Sequence, residues 1–119
     1  MSDLILHVTA RAAWSAVQAS GQYTADSLAS QGFIHCSRLE QVLRTANLFF
    51  KGQSGLVVLV IDPQRLRPEL RWEPGADLAS ELFPHIYGPL NLDAVTRVLD
   101  FAPGPNGSFT LPDLNSPTG

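Results

Sequence analysis

The spacing of apolar positions alternates between strand-like and helix-like stretches along the chain. Residues 4–9, LILHVT, are apolar and β-branched and predict a buried strand. Residues 10–20, ARAAWSAVQAS, are Ala-rich and predict a helix, with Thr9 placed to cap it. Ala13, Ala16 and Val17 share one face of that helix with Trp14 beside it, and Gly21 ends it. The polar stretch 22–31 predicts irregular chain or one short helical turn, and 32–37, GFIHCS, a short strand. Ser37 and Glu40 have capping-box spacing, so a helix is expected from Arg38 to Gly52. Its inner face carries Leu39, Val42, Leu43, Ala46 and Phe50. GLVVLVID, 55–62, is the clearest strand, apolar on both faces, and Asp62-Pro63 breaks it. In ELRWE, 69–73, Leu70 and Trp72 alternate with Arg71 and Glu73, the pattern of a half-buried strand. Residues 79–90, ASELFPHIYGPL, hold two prolines and a glycine and predict a shaped loop. DAVTRVLDF, 93–101, fits a strand with mixed faces better than a helix.

This order places helices early and strands late, which indicates an α+β fold. A chain of 119 residues has room for one domain, assigned to 1–101. Residues 102–119 are rich in Pro, Gly, Asn and Ser and form a tail, pinned by Phe109 and Leu111.

Composition narrows the function classes. The chain is 45% hydrophobic and 16% charged, enough apolar content for a real core. A net charge of −3 leaves no basic footprint for double-stranded nucleic acid. Cys36 is the only cysteine, so no internal disulfide forms, which fits a reducing compartment. The first ten residues lack a basic segment leading into a long apolar core, and no apolar run is long enough to span a bilayer. A soluble, cytoplasmic protein is expected.

The chemistry concentrates at three histidines, His7, His35 and His85, each set among apolar neighbours. A lone histidine in such a place is more often a core residue with one satisfying hydrogen bond. Three in one small domain point instead to strand ends converging on a cleft, where imidazole shuttles protons near neutral pH. Cys36 points away from His35 on a regular strand and reads as a small buried hydrophobe. Ser37 and Arg38 lie where a strand meets a helix N-terminus, a seat for an anion, although Ser37 is equally explained as the helix cap. Glu73 is a strand-end carboxylate whose ordinary state is exposed and solvated. Phe83 and Tyr87 either stack on a flat ligand ring or fill the core. Zinc held by the three histidines is a weaker alternative, because no closely spaced histidine pair exists.

LILHVT, GFIHCS, LVVLVID and WE followed by FPHIYG resemble the signature of the domain-of-unknown-function family 952, over about residues 4–101. More distantly, the first half resembles the catalytic lobe of RNA 2′-phosphotransferases, in the ADP-ribosyltransferase superfamily. Those proteins have a strand ending in H-G-T, where this chain has His7-Val8-Thr9. A tryptophan and a glycine follow, like Trp14 and Gly21, and then H-V-H-x-S, like Phe33-Ile34-His35-Cys36-Ser37. An apolar strand ending in aspartate matches Asp62. The resemblance implies a split, curved antiparallel sheet with two main helices and NAD as a substrate. It places His7 on a ribose, His35 and Ser37 in the same cleft, and Tyr87 or Trp72 against a ring.

Three departures matter. These 119 residues have no room for the extra RNA lobe, Phe33 replaces the first histidine of H-V-H, and the arginine before it is missing, which argues against tRNA 2′-phosphate transfer. The superfamily's catalytic glutamate has no clear counterpart; Glu73 is the nearest candidate and Glu81 the second. The expectation is an NAD- or ADP-ribose-binding domain, an ADP-ribosyl or phosphoryl transferase, with His7, His35 and Glu73 catalytic. Thr9, Ser37, Arg38, Trp72, His85 and Tyr87 would bind the ligand. The alternatives are a non-catalytic binding module for a small ligand, or a metal-assisted hydrolase using the three histidines.

Overall fold

The computed structural model describes residues 4–75 and 81–110. The apolar run LVVLVI forms β5 (Leu56–Ile61), buried along its whole length. It pairs antiparallel with β1 (Ile5–Ala10) on one side and β9 (Val95–Phe101) on the other. A two-residue strand, β4 (Ser37–Arg38), completes this sheet in the order β4-β1-β5-β9. A second sheet has the order β3-β7-β6, from β3 (Ile34–His35), β7 (Leu82–Tyr87) and β6 (Glu69–Pro74). β2 (Gln22–Tyr23) pairs with β8 (Leu90–Asn91). Three α-helices accompany the strands among the described residues: α1 (Arg11–Ala16), α2 (Asp26–Gln31) and α3 (Leu39–Phe49). The protein is a single-domain α+β fold with antiparallel sheets and few helices.

Alternation along β1 and β5 sorts their side chains into two clusters. Ile5, Val57, Leu59 and Ile61 join Tyr23, Ile34, Ile86 and Leu90 between the sheets. Leu6, Val58 and Val60 face Val42 and Ala46 of α3, together with Leu99, Phe101 and Phe109. The two-sided burial expected of β5 is therefore present, one face for the second sheet and one for α3.

Several sequence expectations are corrected. Residues 82–87 are not a loop but strand β7, the central strand of its sheet. A central strand normally excludes proline, because the missing N–H leaves a gap in the ladder. Pro84 escapes this because β3 pairs with β7 only at Ile34↔Ile86 and His35↔His85. At Pro84 only the carbonyl is needed, and it accepts from the Cys36 N–H at 3.0 Å. Residues 79 and 80 of the expected loop lie outside the described residues. The first helix is six residues long with Ala10, not Thr9, at its N-cap, since the Thr9 side chain bonds Tyr23 instead. The polar stretch after it contains β2 and α2. The cap of α3 lies one residue later than expected, because β4 holds Ser37 against Leu6. Arg38 is the N-cap, and Gln41 Oε1 accepts its backbone N–H at 2.9 Å.

Phe109 pins the tail as expected, while Leu111 lies outside the described residues. The Phe109 ring stacks on Phe101 at 4.5 Å, and its N–H donates to Asn47 Oδ1 at 2.7 Å. Phe109→Ala should therefore lower unfolding free energy by about 3 kcal/mol, the usual cost of emptying a buried phenyl site. Urea denaturation measures this, and a loss within about 0.5 kcal/mol would show that the tail is not part of the core.

Candidate functional site

His35 and His85 sit directly opposite each other on β3 and β7, so both rings leave the sheet on the same face. Their centroids are 5.2 Å apart and the rings meet edge to face. Phe33 stacks on His85 at 4.2 Å, nearly parallel, and touches His35 edge-on at 4.8 Å. Phe33 thus packs against both histidines.

Each histidine is held by a specific partner. Gln31, at the end of α2, places Oε1 2.6 Å from His35 Nε2. Glu73 on β6 accepts at Oε1 from His85 Nδ1 at 2.8 Å and from the Tyr87 hydroxyl at 2.6 Å. These two bonds hold the Glu73 carboxyl below its ordinary range, the Tyr87 bond first. The same bond raises the Tyr87 phenol. The Arg71 guanidinium lies 4.4 Å over the Tyr87 ring and pairs with Glu69 at 2.8 Å. Burial, and secondarily His85, lower the pKa of His35.

His7 is committed inside the protein. Its Nδ1–H donates to the His35 carbonyl at 2.6 Å, and its Nε2 lies 2.9 Å from the Tyr23 hydroxyl. Tyr23 in turn lies 2.8 Å from Thr9 Oγ1. A carbonyl only accepts, so Nδ1 carries the proton and Nε2 receives one from Tyr23. Both hydroxyls are rotors, which lets Thr9 donate to Tyr23 in the same chain. Burial pushes His7 down to about 4, against a smaller opposing effect of the His35 carbonyl, so the ring is neutral at pH 7.

A cleft of about 330 Å³ opens where the two sheets part. His35, His85, Ser37, Gln31, Thr45 and Phe83 are among its lining residues, and His7 also borders it. The expected site residues divide clearly. His35, His85 and Ser37 come together there, with Glu73 behind His85 and Tyr87 behind Glu73. Thr9 stands behind Tyr23, away from the lining. Arg38 turns toward Glu40 and Glu81 rather than the cleft. Trp72 pairs with Pro84, lies on the face of β6 opposite Glu73 and is 40% exposed, so it does not stack in the cleft. Glu81 is bonded by Gln41 and Arg44 and does not line the cleft. Cys36 is buried, and burial pushes its thiol up, so it is no nucleophile.

The three histidines do not form a metal site. Both His7 nitrogens are already bonded, and no group of three metal-ligating side chains is suitably placed among the described residues. Tyr23, Gln31 and Thr45 were not singled out from the sequence. Tyr23 is the lone aromatic of a polar stretch, and Gln31 precedes His35 by four residues, weak signals that only the fold makes specific.

The depressed His7 pKa ties stability to pH. Between about pH 4 and 6.5 the unfolded chain protonates this imidazole and the folded chain does not. Stability from His7 is therefore complete above 6.5 and falls as pH drops toward 4. From pH 7.5 to 4.5, wild type should lose about 2–3 kcal/mol more than His7→Gln. Urea unfolding of both proteins at the two pH values measures this, and equal losses would contradict it.

No helix among the described residues is long and apolar enough to cross a membrane. No functionally curated protein matches the chain. The crystal structure of protein CC0527 from Caulobacter crescentus is 37% identical, with 91% of this chain and 94% of that chain covered and a TM-score of 0.81. The solution NMR structure of CC0527 matches at 37% identity, with 88% and 90% covered and a TM-score of 0.76. A family model described as a protein of unknown function, DUF952, matches residues 8–98, and the chain belongs to that family.

Proposed function

We propose that the cleft binds an NAD- or ADP-ribose-like nucleotide by its nucleoside end, in a domain of the ADP-ribosyltransferase type. The observation that carries this reading is the facing pair His35 and His85 at the parting of two sheets, with Glu73 bonded behind His85. Two antiparallel sheets with a cleft between their edges are compatible with this reading, and the cleft is of a size that accepts a small organic ligand.

His85 is the base in this reading. Glu73 keeps the proton on Nδ1, so Nε2 is free to take the proton of an attacking hydroxyl or water. As that oxygen bonds to C1′ of the ribose, the C1′–N bond breaks and nicotinamide leaves with the electron pair. His7 takes a different part from the ribose contact implied by resemblance. With both nitrogens bonded inside the fold, it fixes the His35 backbone and thereby the cleft wall.

The second reading is a binding module without turnover. It is favoured by His7, whose partners are a carbonyl and a phenol and not a carboxylate. Calorimetric titration of NAD and ADP-ribose, with chromatographic assay of released nicotinamide, separates the two. Turnover that falls about 10²-fold or more in Glu73→Gln supports the transferase reading. Binding that weakens in His85→Asn without any nicotinamide release supports the module. Absence of binding by either ligand at millimolar concentration overturns both.

A further inference from the structure

Two proton positions decide what the cleft recognises. Gln31 Oε1 is a carbonyl oxygen and only accepts, so His35 carries its proton on Nε2 and its lone pair on Nδ1. The Glu73 carboxylate likewise fixes the His85 proton on Nδ1 and leaves the lone pair on Nε2. Neither of these lone pairs has a hydrogen-bond partner among the described residues. Thr45, another lining residue, has a buried Oγ1 that is also unpartnered. The described lining contains no Lys, Arg, Asp or Glu, and Leu6, Val8, Phe49 and Phe83 supply apolar surface.

We infer that the cleft is an acceptor clamp: the unpartnered lone pairs on His35 Nδ1 and His85 Nε2 select a flat, apolar ligand part ending in hydrogen-bond donors and turn away carboxylate and phosphate. The recognised chemistry is an amidine, a primary amide or a vicinal diol. A donor meets a waiting acceptor at each imidazole, whereas an acceptor placed there leaves both atoms unpaired out of water. An anion also finds no lining cation to offset its desolvation. The inference rests on the cleft being the ligand site. It assigns the donor-bearing end of a nucleotide to the cleft and its phosphates to the outside.

A set of near-isosteric probes tests this without any nucleotide. Benzamidine, benzamide, acetophenone and benzoate share one shape and differ in donors. Their dissociation constants for the wild-type protein are measured at pH 7.5 by ligand-observed NMR. Benzamidine should bind about tenfold or more tighter than benzoate, and benzamide about fivefold tighter than acetophenone. The neutral pair excludes simple charge attraction. In Glu73→Gln the amide can donate to His85 Nδ1, which moves the ring proton to Nε2, and the benzamide-to-acetophenone ratio should fall toward one. Equal binding of that pair by the wild type, benzoate as tight as benzamidine, or no binding of any probe at millimolar concentration overturns the clamp. NAD binding with no probe preference would sink the clamp and leave the nucleotide reading standing. Ordered probe binding without NAD binding would do the reverse.

Discussion

The cleft depends on residue 36, where one continuous stretch of chain leaves one sheet and enters another. Ile34 and His35 pair with β7, the Cys36 N–H bonds the Pro84 carbonyl, and Ser37 and Arg38 then pair with β1. Two residues given to each sheet close neither of them. Beyond Leu6, β1 has no described partner on its β4 side, and the sheets part along that edge. Pro84 fits the same constraint, because its missing N–H falls where β3 has already left. The small, buried Cys36 occupies the corner as packing rather than chemistry.

Parting the sheets exposes polar groups that a closed sandwich would have to bury, and the surrounding network controls them. His7 is 8% exposed and His85 4%, so each needs partners to avoid a desolvation penalty. Tyr23, Thr9 and the His35 carbonyl satisfy His7 completely. Gln31 and Glu73 satisfy one nitrogen each on His35 and His85. The supporting residues come from β2, α2 and β6, so three separate elements set the proton positions of one small site. The cleft is therefore organised before any ligand arrives, in its tautomers as well as in its shape.

What was legible in the sequence followed from local pattern. The runs in β1 and β5 have no other reading, and the helical spacing of Val42 and Ala46 placed α3 against the core. All three histidines stood out as unusual in the sequence, and all three border the cleft with Ser37. The rest depended on contacts distant in sequence. Strand β7 looks like a loop because Pro84 breaks a strand unless its neighbour has departed, a fact no local window contains. The shift of the α3 cap from Ser37 to Arg38 reflects pairing with β1 some thirty residues earlier. Trp72 was placed in the site by the family resemblance, yet strand alternation turns it to the other face of β6. Tyr23 gave only a weak signal, because its value lies in reaching His7, sixteen residues away.

The most direct test of this account is the protonation pattern of the three imidazoles, read from two-bond nitrogen–proton correlations in the ¹⁵N-labelled protein at pH 7.5. The account predicts an unprotonated Nδ1 on His35 and an unprotonated Nε2 on His7 and His85, each in a single fixed tautomer. A spectrum in which His35 and His85 share one tautomer, or exchange freely between both, would contradict it.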